Sequence, residues 1–343
     1  MTNPPNRQIV LAVRPAALPR AEYFAMSKGT VPEPADGEVL ARTLLLSIDP
    51  AMRGWVLESK NYVPAVPVGG VMRSFGVAEV VESRSNRYQV GDIVAGLTGW
   101  QEWCVIADAD VHRRVDPTLA PISTSVGVLG LTGVTAYVGM VEIGKPTPGS
   151  TVVVSTAAGS VGSAAGQLAK IHGARTVGLT GSDEKVRMCL DEFGFDAAIN
   201  YKTTPDLSAA LADACPDGID VYFDSVGGDM LDAVLEHITI GARIPLCGTI
   251  SMVANNIPMG KRIERKLLVQ RALIRGYLAS DHFDRSEEIA TTMSQWITSG
   301  QLRYREEVFP RFEDAPIALE RMVAGENLGK SVVRVAYSDS ERQ

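Results

Sequence analysis

The amino-acid sequence predicts an α/β protein with two domains, one of them built on a doubly wound parallel sheet. The chain has 343 residues, more than one ordinary hydrophobic core accommodates. Its first third consists of short strand patterns broken by turns, whereas strand and helix patterns alternate from Thr151 onward. A single large α/β domain with a decorated N-terminus is the alternative.

Composition and charge exclude several classes of protein. With 45% hydrophobic and 21% charged residues, the chain has the balance of a soluble globular protein. A net charge of −7 and the lack of a Lys/Arg-rich run argue against nucleic acid as the main partner. No apolar run approaches the roughly 20 residues that span a bilayer, and residues 1–14 lack the apolar region of a secretory signal. Four scattered cysteines favour a reducing, cytoplasmic setting over a disulfide scaffold.

The first ~120 residues have the texture of short strands separated by turn-forming residues. Strands are expected at Glu38–Ile48, Val77–Val81 and Ile93–Leu97, the last of them after the turn Gly91-Asp92. Pro and Gly are distributed throughout this region, which is typical of closely spaced turns. We therefore expect an antiparallel barrel or sandwich here rather than strand–helix–strand units.

The middle of the chain has the pattern of a parallel sheet covered by helices. A helix is expected over Val126–Ile143, ended by the segment Pro146–Gly149. Thr151–Ser155 is expected to be a strand with both faces covered. Further strands are expected at Arg175–Thr180, Ala197–Asn200, Ile219–Ser225 and Ala242–Cys247, between helices at Ser160–His172, Glu184–Phe193, Asp206–Cys215 and Met230–Ile238. The alternation predicts a doubly wound sheet with right-handed crossovers.

The end of the chain changes texture again. Strands are expected at Phe309–Arg311 and Ser331–Val335, on either side of a helix at Phe312–Val323. We expect this tail to return to the first domain, which would make that domain discontinuous in sequence. The expected division is therefore residues 1–125 and 306–343 for the first domain, and residues 126–305 for the second, doubly wound domain.

The strongest local signal is the segment Val152–Gly162, in which a buried strand leads into a small-residue turn and then a helix. Glycines at such a turn let backbone N–H groups and the helix N-terminus approach a pyrophosphate without a Cβ in the way. Ala157 occupies the first glycine position of the usual G-x-G-x-x-G pattern. The alternative is a turn of small residues that only packs the helix on the sheet.

The choice of dinucleotide is indicated at the end of the second strand. NAD-binding proteins place an acidic residue there, which accepts from the ribose 2′-OH. The strand end before Gly181 carries no carboxylate, whereas Ser182 and Lys185 offer the donors and positive charge that a 2′-phosphate needs. Asp183 is expected to point outward as the N-cap of the next helix, and Tyr201 is a further candidate near the phosphate. We therefore expect NADPH, the alternatives being a solvated surface lysine and an ordinary loop tyrosine.

No metal-binding or covalent-catalysis motif is evident in the sequence. The four histidines are isolated, and neither C-x-x-C nor H-E-x-x-H occurs. Cys104 and Cys247 are expected to be small buried hydrophobes rather than ligands. A G-x-S-x-G nucleophile elbow is also lacking. Hydride transfer supported by the cofactor is the chemistry that remains, with no metal expected.

Across almost its whole length the sequence resembles the zinc-free branch of the medium-chain dehydrogenase/reductase superfamily. That branch includes leukotriene 12-hydroxydehydrogenase/prostaglandin reductases, plant alkenal double-bond reductases and bacterial curcumin reductase. The stretches that carry the resemblance are Ser47–Gly54, Tyr62–Pro64, Leu129–Tyr137, Val152–Gly162, Gly181–Lys185, Asn200–Lys202, Asp224–Gly228, Cys247–Ser251 and Asn327–Lys330.

The resemblance implies a GroES-like β-barrel catalytic domain, an inserted Rossmann domain and an active site in the cleft between them. It also implies NADPH-dependent reduction of a C=C bond conjugated to a ketone or aldehyde, by an enzyme that is a homodimer. Lys185, Ser182 and Tyr201 would then hold the 2′-phosphate, with Leu131 and Thr135 beside the nicotinamide. The full set of expected cofactor-binding residues is Leu131, Thr135, Ala158, Gly159, Ser160, Val161, Gly162, Gly181, Ser182, Lys185, Tyr201, Ser225, Val226, Cys247, Gly248, Ile250, Ser251, Tyr277 and Asn327.

The chain departs from its relatives around the expected substrate pocket. Val253 and Ala254 stand where some relatives have a tyrosine and an asparagine, and Val269 stands where some have their proposed catalytic tyrosine. Trp100 and Trp103, in a loop expected to face the cleft, are individual to this chain.

After hydride reaches the β-carbon, an enolate oxygen must be stabilised, and Tyr62 is the best candidate side chain to donate to it. The nicotinamide ribose 2′-OH is another candidate donor. Water is the expected source of the proton for the α-carbon. An aromatic wall of the pocket is the other role open to Tyr62. Two other functions stay open: an NADPH quinone reductase of the same superfamily, and a catalytically idle NADPH-binding sensor or structural partner.

Overall fold

A computed structural model describes residues 5–58, 61–252 and 259–338 of the chain. The chain forms two compact units. The first unit combines Met1–Gly130 with Glu306–Gln343, and the second is Leu131–Arg305. The boundary lies after Gly130, later in the chain than the expected boundary after residue 125. The short 3₁₀ turn Ile122–Val126 thus belongs entirely to the first unit.

Among the described residues, strands and helices alternate regularly along the second unit, whereas the first unit consists mostly of strands. In chain order they are β1 (Pro5–Leu11), β2 (Phe24–Thr30), β3 (Glu38–Ser47), β4 (Phe75–Ser83), β5 (Ile93–Leu97), β6 (Trp103–Ala107), β7 (Val111–Arg114), β8 (Thr151–Ser155), β9 (Arg175–Thr180), β10 (Ala197–Asn200), β11 (Ile219–Phe223), β12 (Ile238–Leu246), β13 (Leu273–Gly276), β14 (Glu306–Phe309) and β15 (Lys330–Arg334). The α-helices are α1 (Met52–Trp55), α2 (Leu131–Tyr137), α3 (Ser160–Ile171), α4 (Asp183–Arg187), α5 (Leu207–Ala214), α6 (Gly228–Leu235), α7 (Glu264–Gln270), α8 (Ser286–Thr298) and α9 (Ala315–Ala324).

The main sheet of the first unit is seven-stranded and mostly antiparallel. Its order is β14-β15-β3-β4-β5-β7, with β6 paired to β3, while β1 and β2 form a separate ribbon. Strand β15 pairs antiparallel with β3, so that Val333 lies opposite Leu46, and only β14 and β15 pair in parallel. The last segment of the chain thus adds two strands to a sheet that the first segment begins.

A hydrophobic core of the first unit joins residues from both segments. Trp55, Trp100 and Phe312 are buried together in it. Trp100 was expected in a loop that faces a cleft, and that prediction is wrong. Its side chain is fully buried, its ring packs 5.1 Å from the ring of Phe24, and its carbonyl accepts from the N–H of Ile9. A large indole contributes most to stability when it is buried, and this position buries it.

The second unit is the predicted doubly wound parallel sheet. Its order is β10-β9-β8-β11-β12-β13, with every pair parallel. Counted from β8, this is the 3-2-1-4-5-6 order of dinucleotide-binding sheets. All five residues of β8 are buried because β9 and β11 flank it and helices cover its faces. The order reverses between β8 and β11, where such sheets bind their ligands.

Several expected helices have different bounds in the structure. The helix expected at Val126–Ile143 begins only at Leu131, since Gly127 and Gly130 interrupt it, and it continues after Tyr137 as a π-helical segment, Val138–Gly144. The helix expected at Glu184–Phe193 is likewise α4 followed by a π-helical turn, Met188–Glu192. In the tail, the strand expected at Phe309–Arg311 is instead β14 at Glu306–Phe309. The helix expected from Phe312 is a short 3₁₀ turn followed by α9, which begins at Ala315 with a proline in its first turn.

No helix among the described residues is both long and apolar enough to cross a membrane.

Candidate functional site

The turn after β8 exposes the start of helix α3. Thr156 has a left-handed backbone (φ 49°), and the N–H of Gly159 donates to its carbonyl at 2.8 Å. Gly159 is the N-cap of α3 and has no side chain, and no other side chain of the described residues caps the helix. The N–H groups of the first turn, at Ser160, Val161 and Gly162, are therefore available to an anion.

Glycines keep this turn open, because a side chain at their positions would fill the space beside it. A Cβ on Gly162 would lie 2.9 Å from the Cα of Ala157 and closer still to the Thr156 carbonyl oxygen. A Cβ on Gly178 of β9 would lie 2.8 Å from the Cβ of Ala157. The alanine at the first glycine position is thus accommodated because the facing strand residue is a glycine. The turn, with buried Ala158 behind it, fits a pyrophosphate.

Helix α2 lies against the start of α3. The hydroxyl of Ser160 donates to the hydroxyl of Thr132 at 2.8 Å. Thr135 lies one turn further along α2, and its hydroxyl donates back to the carbonyl of Leu131 at 2.7 Å. Leu131 and Thr135, which were expected beside the nicotinamide, thus lie on the helix that packs against the turn after β8.

Ser182, rather than Asp183, caps the helix that follows β9. Ser182 is extended (φ −157°, ψ 158°), and its hydroxyl accepts from the N–H of Lys185 at 3.3 Å. Asp183 is the first helical residue, and its carboxylate accepts from the Asn200 amide at 2.7 Å. The prediction of Asp183 as N-cap is wrong because the serine one position earlier already has the extended backbone and the reach that a cap requires.

Gly181 brings two further side chains to the end of β9. A Cβ on Gly181 would lie 3.1 Å from the hydroxyl of Tyr201 and 3.2 Å from Cε of Lys202. Burial raises the pKa of Tyr201, so its hydroxyl is a neutral donor at physiological pH. Lys202, which is exposed, was not among the expected site residues. Its place one residue after Tyr201 was the signal in the sequence for a second cation.

The turn after β11 is organised by a buried carboxylate. Asp224 is fully buried, and its Oδ1 accepts from the N–H groups of Val226 and Gly227, both at 2.9 Å, and from the Tyr222 hydroxyl at 3.0 Å. Burial raises the pKa of Asp224, against the opposing effect of these donors. Asp224 was not among the expected site residues, although an acidic residue at the end of a buried strand was a signal for it.

The loop after β12 packs on this turn. The N–H groups of Ile250 and Ser251 donate to the carbonyls of Ser225 and Val226, and the Ser251 hydroxyl donates to the latter at 2.6 Å. A Cβ on Gly248 would lie 3.0 Å from the Ser225 carbonyl oxygen, which explains the glycine. The two strand-end loops thus form one surface at the carboxyl edge of the sheet.

Cys247 and Tyr277 complete that surface. The Cys247 thiol lies 3.2 Å from the Ser225 hydroxyl, and burial raises its pKa to about 11, so it is a neutral thiol near neutral pH. The hydroxyl of Tyr277 donates to the carbonyl of Thr135 at 2.7 Å. It lies against Gly139, where a Cβ would collide with the Tyr277 hydroxyl. Tyr277 therefore links the edge of the sheet to α2.

The remaining expected site residues lie in the first unit. Asn327 uses its amide to donate to the carbonyl of Gly329 at 2.8 Å. Tyr62 is 54% exposed, and its hydroxyl accepts from the indole N–H of Trp55 at 3.3 Å. Trp55 was not among the expected site residues, although it directly follows Ser47–Gly54, one of the stretches that carry the family resemblance.

The structure describes some of the residues at which the chain departs from the family pattern. Val253 and Ala254 lie outside the described residues. Val269 is an exposed residue of α7, and Trp103 begins β6 and is half-buried. Cys104 is buried in an apolar cluster, as expected. Within the described residues no group of three or more His, Cys, Asp or Glu is arranged to hold a metal ion.

Two family comparisons cover most of the chain. Residues 7–114 match the family described as the N-terminal domain of oxidoreductase. Residues 160–299 match the family described as zinc-binding dehydrogenase.

Individual relatives match over nearly the full length. The chain is 40% identical to the NADPH-dependent curcumin reductase of Escherichia coli (strain K12), across 97% of this chain and 98% of that protein. It is 38% identical to the NADP(+)-dependent 2-alkenal reductase of Nicotiana tabacum, across 96% and 98%. The crystal structure of CurA from Vibrio vulnificus in complex with NADPH has a TM-score of 0.88 and 39% identity, over 96% of this chain and 99% of that one.

Proposed function

The chain belongs to the zinc-independent medium-chain dehydrogenase/reductase family, and on that premise we propose that it reduces the conjugated C=C bond of α,β-unsaturated ketones and aldehydes. It is an oxidoreductase whose cofactor is NADPH. The similarity to a curcumin reductase and a 2-alkenal reductase supports a substrate in which the double bond is conjugated to a carbonyl group.

The structural observation that supports NADPH in this proposal is a helix start without a side-chain cap, together with a strand end that lacks a carboxylate. The first turn of α3, at Gly159–Gly162, would hold the pyrophosphate. Ser182, Lys185 and Tyr201 would hold the 2′-phosphate, with Lys202 as a second cation. This donor set suits a phosphate better than a ribose hydroxyl, which supports NADPH over NADH.

The other expected residues are proposed to hold the rest of the cofactor. Leu131 and Thr135 on α2 would line the nicotinamide, since α2 packs against the start of α3. The surface formed by the strand-end loops would cover the adjacent part of the dinucleotide, with Asn327 as a further contact. That surface comprises Ser225, Val226, Cys247, Gly248, Ile250, Ser251 and Tyr277.

Bound NADPH supplies a hydride, which reaches the β-carbon of the conjugated system. The protein must then stabilise negative charge on the former carbonyl oxygen, and a positioned hydrogen-bond donor does this. We assign that donor to Tyr62, an exposed residue whose hydroxyl already accepts from Trp55. The α-carbon takes its proton from water, so Tyr62 stabilises the enolate oxygen without having to reach the α-carbon.

The substrate class is tested by following NADPH oxidation with a panel of enones, enals and quinones, and by identifying the products. We expect saturated ketones or aldehydes from enones and enals. Turnover of quinones alone would assign the chain to quinone reduction instead. Tight NADPH binding without turnover on any member of the panel would identify a sensor or structural role.

A homodimer joined through the nucleotide-binding units is also proposed. Strand β13 ends the sheet order within the described residues, and exposed apolar side chains lie on and near it. They are Ile240, Leu268 and Leu273. An edge strand with apolar neighbours is suited to pairing with a second copy. Sedimentation or light scattering should give twice the chain mass, and Leu268→Glu should shift it toward one chain mass.

We place the protein in the cytoplasm. The four free cysteines and the use of NADPH support a reducing compartment. Fractionation of cells that produce the protein tests this, and recovery outside the cytoplasmic fraction would contradict it.

A further inference from the structure

We infer that Trp55 is a positioning residue for the enolate-stabilising donor, acting through its hydrogen bond to Tyr62. This inference rests on the proposed function, in which Tyr62 donates to the enolate oxygen. The bond joins the indole Nε1 of Trp55 to the hydroxyl oxygen of Tyr62 at 3.3 Å. Nothing in the family resemblance assigns a role to Trp55.

The direction of this hydrogen bond is fixed by chemistry. An indole N–H can only donate, so the Tyr62 oxygen must be the acceptor. The proton of the Tyr62 hydroxyl is then directed away from the indole and is available to another acceptor. If a backbone carbonyl stood in place of Trp55, it would take that proton and leave the phenol unable to donate to substrate.

Packing holds the indole N–H in one orientation. Trp55 is 3% exposed and lies in the core with an edge-on contact to Phe75, at 6.1 Å between ring centroids and an interplanar angle of 66°. The Arg73 guanidinium lies 5.6 Å from the Trp55 ring centroid, over its face. A side chain held on several sides keeps its rotamer, so its N–H is a fixed reference point for a neighbouring group.

The segment that carries Tyr62 is tied to the same tryptophan. The N–H of Val66 donates to the Trp55 carbonyl at 2.7 Å, and Arg73 donates to the Pro64 carbonyl at 2.9 Å. The N–H of Tyr62 donates to the Asn61 side chain at 2.8 Å. Tyr62 is thereby held at its backbone, while Trp55 holds its hydroxyl at the other end of the side chain.

The Asn61 side chain lies close to Gly54 of α1, where a glycine leaves room for it. A Cβ on Gly54 would lie 2.8 Å from the amide nitrogen of Asn61. Helix α1 therefore supplies both the indole that orients the Tyr62 hydroxyl and the space for the side chain that holds the Tyr62 backbone. A positioning role predicts that this arrangement affects turnover rather than cofactor affinity.

The test is a double-mutant cycle of Trp55→Phe and Tyr62→Phe, with kcat and KM measured on an enone and on NADPH. Loss of one hydrogen bond predicts about a fivefold fall in kcat for Trp55→Phe with an unchanged KM for NADPH. In the Tyr62→Phe background, Trp55→Phe should cause no further fall. Such coupling would not arise from a general structural effect of the tryptophan.

Trp100→Phe is the matched control. Trp100 is a buried member of the same core, and its indole N–H has no hydrogen-bond partner among the described residues. The same substitution there removes an indole without touching Tyr62, so the kcat of the folded enzyme should not change. Should Trp55→Phe fold poorly, benzothienylalanine at position 55 keeps the shape of the indole and replaces only its N–H.

The possible outcomes separate the inference from the proposed function. A kcat unchanged by Tyr62→Phe would remove Tyr62 from the mechanism, and the inference with it, while enone reduction would stand. A fall for Tyr62→Phe with no difference between the position 55 and position 100 variants would overturn the inference alone. Equal falls for Trp55→Phe with and without the Tyr62 hydroxyl would overturn it as well.

Discussion

The ammonium of Lys330 donates to the carboxylate of Asp49 at 2.7 Å, and both side chains are only 4% exposed. The bond joins the start of β15 to the segment after β3, across 281 positions of sequence. Lys330 also donates to the carbonyl of Ile48, and the Ser47 hydroxyl donates to the other oxygen of Asp49. The buried pair therefore connects the two segments of the first unit.

Breaking this pair should strongly destabilise the protein. Lys330→Met leaves an uncompensated buried carboxylate, so the free energy of unfolding should fall by about 3–5 kcal/mol. Denaturant unfolding measures this, and the double variant Asp49→Leu/Lys330→Met should recover much of the loss. Lys170 and Asp196 form the matched control, since their ion pair is also 2.7 Å long but its side chains are 37% and 30% exposed. Lys170→Met should cost about 0–1 kcal/mol, and an equal cost at both lysines would contradict the prediction.

Lys185 should distinguish NADPH from NADH. Loss of a charge-assisted hydrogen bond to the 2′-phosphate predicts that Lys185→Ala raises the KM for NADPH roughly 10- to 100-fold. The KM for NADH should hardly change, because NADH carries no phosphate there. Lys202→Ala should have the same sign and a smaller effect, since that lysine is exposed. Steady-state kinetics with both cofactors provide the measurement.

Lys170→Ala is the control for charge alone, since Lys170 lies at the far end of α3 from the turn after β8. It should leave both KM values as they are. Equal rises with NADPH and NADH in Lys185→Ala would remove the 2′-phosphate assignment.

Gly162 should be required for cofactor binding. In Gly162→Ala the new Cβ meets backbone atoms of Thr156 and Ala157, which cannot move without opening the turn. We expect at least a tenfold rise in the dissociation constant for NADPH, measured by fluorescence titration, from loss of the fixed N–H groups. In Gly166→Ala, one turn along α3, the new Cβ instead collides with the buried ring of Phe195. That variant should lower stability by about 1–3 kcal/mol and leave the NADPH affinity of the folded protein unchanged. Equal affinities in the two variants would show that the turn does not bind the cofactor.

Asp224 should make stability depend on pH in a defined direction. Burial raises its pKa in the folded protein, so folding favours its protonated form. That stabilisation is present below the unfolded pKa of about 3.9 and is lost as the pH rises through the folded pKa. Asp224→Asn keeps an acceptor for Val226 and Gly227 without the charge, so its stability relative to the natural protein should increase over that pH window and then become constant.

Unfolding in denaturant at a series of pH values from about 4 to 7 measures this difference. Asp224→Ala is the complementary variant, since it leaves two backbone N–H groups without their acceptor and should cost about 1–3 kcal/mol for each of them. A difference between Asp224→Asn and the natural protein that stays flat with pH would mean that the buried carboxyl titrates as it does in the unfolded chain.

The sequence by itself determined the features that depend on local pattern. The continuously buried strand β8, the small-residue turn after it and the regular strand–helix alternation predicted the doubly wound sheet and the dinucleotide turn. The missing carboxylate at the end of β9 predicted NADPH. The doubly wound sheet and NADPH are confirmed, and the binding role of the turn stays a prediction. Local pattern suffices for the sheet because strand burial and helix starts are governed by residues within about one turn of each other in sequence.

Tertiary structure decided what depends on burial and on partners distant in sequence. Trp100 is a core residue because Phe24 and β1 cover it, which its loop sequence could not reveal. The pairing of Asp49 with Lys330 exists because β15 returns to β3. The donor role proposed for Tyr62 likewise depends on which atom of Trp55 meets its oxygen. A hydrogen bond's direction is set by the atoms that packing brings together, so only the folded chain determines it.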